Sequence, residues 1–265
     1  MLSGGAPLVI ALAATLGYLV VAAAPAAGRV AVVSLVLGWL FHLAVLVLDI
    51  GGWGTDQPGA RLGFAPVLSM SVWLVVAVYT VESRLVPLPS VRRGLALAGS
   101  AAVLLALAFP GESRVYASPL APLHFALGVG SYGLFGAAVL HAAMLDAADR
   151  RLRPGSGAHG GAAFGMPLLQ LERLTFRFVE AGFAVLTATL LLGLVTATQW
   201  RQDLHKTVFS FLAWGVFAAL LVGRRQRGWR GRRATRWLYA GAVLLLLAYA
   251  GSRFVFEVLL GRTPP

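Results

Sequence analysis

The chain has 265 residues, 58% of them hydrophobic and 12% charged, with a mean hydropathy of +0.80. Soluble domains carry about 25% charged residues, and no core of this size hides so much apolar surface, so composition assigns the chain to a membrane. The net charge of +12 is compatible with nucleic-acid binding until its distribution is considered, and the absence of cysteine excludes thiol–disulfide chemistry and iron–sulfur clusters. Any metal or cofactor would be held by histidine, oxygen ligands or methionine.

In chain order, apolar runs occur near 6–24, 30–49, 63–81, 93–109, 120–145, 176–198, 206–222 and 237–260. Each approaches the ~20 residues that cross ~30 Å of hydrocarbon as a helix. They predict an all-α, polytopic transmembrane helix bundle of about eight spanning helices, one integral membrane domain over 1–265 with no soluble domain attached. A β-barrel would alternate apolar and polar residues with a period of two, and these runs do not. The first run lacks a basic flank and a following polar domain, so it reads as a retained helix, not a cleaved signal. In the fifth, Gly128, Gly130, Gly133 and Gly136 recur in FALGVGSYGLFGAA. Such spacing lets helices approach closely or makes room for a flat cofactor, and close packing is the default.

The longest connection, Asp146 to Thr175, begins as a charged helix end, DAADRRLR, and passes into PGSGAHGGAAFG. It is expected to be mobile and cytoplasmic over about 147–167, with His159 as a solvated bystander. It re-enters at MPLLQLERLTF, where Leu168, Leu169, Leu171 and Leu174 gather near one face, as in a short helix lying on the membrane surface. Glu180, one turn beyond Arg177, is expected to form a local ion pair. No internal repeat is evident.

Sixteen of the 22 cations fall in the first, third, fifth and seventh connections, seven of them in the last, GRRQRGWRGRRATRW. The other side, tails included, carries Arg61, Arg114, Arg201, Lys206 and Arg262, and Arg253 lies inside the eighth run. This bias places both termini on the outer, periplasmic side and makes the basic excess a matter of topology and anionic-lipid contact, with no nucleic acid involved.

Ionisable groups at membrane depth mark candidate sites. That topology brings His124, His205 and Arg253 to similar depth near the outer surface, with Trp200 and Lys206 at the same level. Neutral imidazole ligates metal, arginine pairs with carboxylate and tryptophan stacks on flat rings. Haem combines iron, propionates and a π face, so His124 and His205 are candidate ligands to its iron. The alternatives are plainer: interfacial hydrogen bonding by either histidine, snorkelling of Arg253 or its pairing with Glu257, and a place for Trp200 in the aromatic belt. His42, in WLFHLAVLVL, could ligate a second haem or hydrogen-bond to another helix, and its apolar setting favours the latter. His141, seventeen residues from His124, cannot share its site.

The ordered series PLLQLERLTFRFVEAGFAVLTATLLLGLVTATQW, HKTVFSFLAWGVFAALL and GWRGRRA, preceded by LAPLHFALGVGSYGLFGAAVLHAAML, resembles the CcsA-like cytochrome c assembly membrane proteins. The HKT and AW pattern is most similar to the short, eight-helix YpjD-type branch. The similarity spans about 60–260 and is densest over 120–250. It implies a bacterial inner-membrane protein that handles haem at its outer face. In that family a tryptophan-rich WWD segment and flanking histidines hold haem. His124 matches the first flanking histidine, and Gln199 to Lys206 stand in place of the WWD segment. Here that segment is reduced to Trp200 and Asp203, followed by His205 and Lys206. The family's histidine after the following helix is replaced near Val222, and the second flanking histidine has no counterpart. His205 would be the substitute second ligand.

Two functions follow. The first is a haem-binding protein of cytochrome c assembly, working in the lipid bilayer with haem-delivery or cytochrome c biogenesis proteins. The second is a non-catalytic accessory or regulatory subunit that kept the fold and lost the haem site, which the stripped WWD segment favours. A secondary transporter fits less well, because the polar groups gather at one end and not at the midplane. No nucleophile–base pair, phosphate loop or carboxylate dyad points to an enzyme.

Overall fold

A computed structural model describes residues 5–24, 28–51, 60–83, 89–110, 112–114, 120–151, 167–196 and 204–248. Among the described residues the chain is a polytopic helical membrane protein in which seven helices are long and apolar enough to span a bilayer. It forms two compact units, 1–119 and 120–265.

In the first unit, helices α1 (Gly5–Ala23) and α2 (Arg29–Ile50) precede a short strand, β1 (Ala60–Leu62). Helices α3 (Phe64–Glu82) and α4 (Pro89–Ala108) follow, then strand β2 (Glu112–Arg114), which pairs antiparallel with β1. Lipid gives helices no hydrophobic reason to associate, so small residues and polar contacts join them. Gly17 and Gly38 let α1 and α2 touch backbone to backbone: a Cβ on Gly17 would fall 2.9 Å from Gly38 Cα. Gly99 of α4 likewise admits the Tyr18 ring, 2.8 Å from where a Cβ would stand.

Polar contacts complete that packing. His42 of α2 is fully buried, with Nδ1 3.1 Å from the Tyr18 hydroxyl and Nε2 2.7 Å from Ser69 Oγ on α3. One ring nitrogen donates and the other accepts, and hydroxyls serve either role. The expected cross-helix hydrogen bond is therefore present twice. Trp39 and Trp73 stack at 4.8 Å between centroids, and each indole N–H donates to the other residue's main-chain carbonyl, at 3.2 and 3.0 Å. Arg61 of β1 meets Asp49 at the end of α2 at 3.4 Å, both buried.

The second unit consists of α5 (Ala121–Arg151), α6 (Leu168–Thr196), α7 (Leu204–Arg227) and α8 (Gly231–Leu246). Its core stacks Phe135 of α5 on Phe217 of α7, with ring centroids 3.8 Å apart. Glycines close both sides: a Cβ on Gly182 would lie 3.2 Å from Phe135, and one on Gly241 2.5 Å from Phe217. Gly128 and Gly130 face α6 only at ordinary contact distances, 3.8 and 3.9 Å, so these two are not where the helices pack tightest.

Several local expectations change. The stretch 168–174 is not a separate surface helix but the opening turns of α6, because neither a proline nor a paired-glycine break interrupts Leu168 to Thr196, and Leu171 and Thr175 are buried. Glu180 meets Arg225 of α7 at 3.8 Å, an interhelical contact in place of the expected local pair with Arg177. The basic seventh connection shrinks to a turn, since its cations belong to the ends of α7 and α8. Gly228, just after α7, and Gly231, which opens α8, adopt φ of +62° and +56°, the left-handed region that glycine enters at little cost. Arg224, Arg225 and Arg227 in the last turn of α7 complement its dipole. The eighth expected span continues beyond the described part of α8, and the 152–166 stretch also lies outside the described residues.

Candidate functional site

Antiparallel packing brings the described candidates His124 and Lys206 to one end of the second unit. Along α5 and α6, His124 faces Gly193, Gly128 faces Thr189, Phe135 faces Gly182 and His141 faces Phe178. Along α6 and α7, Trp214 donates its indole N–H to Thr187 at 3.0 Å, and Arg224 pairs with Glu172 at 3.7 Å. The start of α5, the end of α6 and the start of α7 therefore share one end. Asp146, Glu172, Arg224 and Arg230 occupy the other.

His124 is the described member of the predicted set with a defined environment. A Cβ on Gly193 would stand 3.0 Å from His124 Cε1, so the missing side chain makes the seat for the imidazole. Its Nδ1 is buried with no hydrogen-bond partner among the described residues. A neutral imidazole with that nitrogen unprotonated has the lone pair a metal takes.

Lys206, in the first turn of α7, is partly buried. His205 belongs to the same turn, but its side chain lies outside the described residues, as do Trp200 and Arg253 entirely. The remaining described histidines are engaged elsewhere. Both ring nitrogens of His42 are committed, and His141 donates from Nδ1 to the Ala137 carbonyl at 2.8 Å. Among the described residues no three histidine or carboxylate side chains converge as a metal site. Gly193 and Thr189 carried a weak signal: an isolated glycine inside the apolar run LLLGLVTATQW suggests a close approach without naming its partner.

The family described as cytochrome C assembly protein matches residues 27–260, nearly the whole chain. The chain belongs to that family. It is 31% identical over 241 residues to the inner membrane protein YpjD of Escherichia coli K12, covering 87% of this chain and 88% of that one. A 28.8 kDa protein from a nifR3-like 5′ region of Azospirillum brasilense is 35% identical over 147 residues, 52% of each chain. The cytochrome c biogenesis protein CcsA of Prochlorococcus marinus MIT 9515 is 34% identical over 91 residues, 32% of this chain and 29% of its own. No solved structure matches. The spans and the full-length relative together make this a multi-pass inner-membrane protein.

Proposed function

We propose that this protein binds haem near the outer face of the inner membrane and handles it together with cytochrome c biogenesis or haem-delivery proteins. The observation that carries the reading is His124, seated in the Gly193 gap with a buried Nδ1 that has no partner among the described residues. That donor fits an axial ligand. When bound, haem would supply an iron that takes imidazole and propionates that take cations. His205 is the proposed second ligand, Lys206 and Arg253 the propionate partners, and Trp200 a stacking face. The charge bias supports placing this end, and both termini, outside. Attachment of haem to an apocytochrome needs reduced thiols, and the chain has no cysteine, so partners would supply that chemistry.

The test is an absorption spectrum of the detergent-purified protein, oxidised and reduced, with and without haemin, beside His124→Ala and His205→Ala. A Soret band with sharp reduced α and β bands, lost in both variants, is expected. Folded protein with no band after haemin addition would refute the reading and favour the accessory-subunit alternative that the reduced WWD segment suggests.

A further inference from the structure

We propose that the cleft between the end of α5 and the start of α8 seats a phosphodiester anion at the membrane surface. The cleft encloses about 270 Å³ between the last turns of α5 and the first turns of α8. Thr235 Oγ1 and Tyr239 OH donate to the two oxygens of Asp146 at 3.0 and 2.9 Å. Asp146 thus ties the two helices together, and its charge offsets one of the arginines around the cleft. Arg150, Arg232 and Arg236 line the same space, are exposed, and take part in none of the ion pairs among the described residues. Guanidinium forks suit phosphate oxygens.

Charge and depth narrow the ligand. Three arginines against Asp146 and Asp149 leave one net positive charge, which a singly charged phosphodiester neutralises and a phosphomonoester dianion overshoots. The apolar stretch of α5 ends near 145 and that of α8 begins near 237, so the cleft stands where helices leave the hydrocarbon. At that level the abundant phosphodiesters are lipid headgroups. Arg225 and Arg227, at the end of α7, carry charge of the same kind without lining this cleft, and Arg225 already faces Glu180.

The experiment is native mass spectrometry of the full chain in neutral detergent, titrated with phosphatidylglycerol or phosphatidylcholine. Wild type is expected to retain phosphatidylglycerol at least about tenfold more tightly, a difference of ~1.4 kcal/mol. Arg232→Gln/Arg236→Gln should lose that preference, whereas Arg225→Gln/Arg227→Gln, with the same charge change, should keep it. If the first pair does not purify as a monodisperse species, Arg150→Gln is read the same way. Displacement of the lipid by soluble glycerophosphoglycerol would support the site and show that the headgroup alone suffices. Retention despite it would support the site and assign the ligand to the bilayer. Equal loss in the cleft and control variants, or no headgroup preference in wild type, would overturn the proposal.

Discussion

His42→Leu tests whether polar contacts hold the first unit together. The change removes both hydrogen bonds of the imidazole, 3.1 Å to Tyr18 and 2.7 Å to Ser69, from a fully buried position. Hydrogen bonds between membrane helices average about 0.6 kcal/mol and reach about 1.7, so the two together are worth roughly 1 to 3 kcal/mol. The two stranded hydroxyls differ. Ser69 can turn to a carbonyl one turn back, as Ser71 does to Val67 at 2.8 Å. Tyr18 cannot, because its ring is held in the Gly99 gap. Most of the loss should therefore sit with the orphaned tyrosine hydroxyl, and Tyr18→Phe/His42→Leu should recover about half of it, near ~1 kcal/mol. Equilibrium unfolding in mixed micelles, followed by far-ultraviolet circular dichroism, measures both. If His42→Leu is neutral, or the double variant is weaker than the single by the full Tyr18→Phe effect, the hydrogen-bond reasoning fails.

Other outcomes follow from the second unit. Gly241→Ala puts a Cβ 2.5 Å from the Phe217 ring and should destabilise by about 1–3 kcal/mol in the same unfolding assay, as overpacking does. Thr235→Val/Tyr239→Phe leaves Asp146 without its two donors and should cost about 1–3 kcal/mol, with the added Asp146→Leu change restoring part of it. Gly193→Val fills the seat of His124; the proposed haemin binding should fall at least as far as in His124→Ala, with the helical circular dichroism retained. A phosphatase reporter fused after Pro265 should be active, as the outward termini expected from the charge bias require, and inactive when fused at Gly155.

Much of this protein was legible residue by residue. Apolar run length and low charge are local properties, and they determined the membrane assignment, the number of helices and, through the ordered motifs, the family. His42 was also read correctly, because a histidine surrounded by apolar neighbours needs a partner wherever it points. What the sequence could not supply was who those partners are. Tyr18 and Ser69 stand 24 and 27 residues from His42, and nothing between them marks the pairing. The leucines at 168, 169, 171 and 174 suggested a surface helix, since a stripe looks the same against lipid headgroups and against a neighbouring helix.

The glycines make the same point. By sequence alone the series at 128, 130, 133 and 136 stood out; Gly128 and Gly130 make only ordinary contacts, while tight approaches occur at Gly17, Gly38, Gly99, Gly182, Gly193, Gly223 and Gly241. A missing side chain becomes a seat only when another helix brings a ring or a backbone against it. Sequence alone determined that the chain crosses the membrane and belongs with cytochrome c assembly proteins, because hydropathy and motif order are written along the chain. Only the tertiary structure placed the His124 imidazole against Gly193, with a nitrogen unpaired among the described residues, and set three arginines around one cleft, because those neighbours meet by antiparallel packing of helices far apart in the chain.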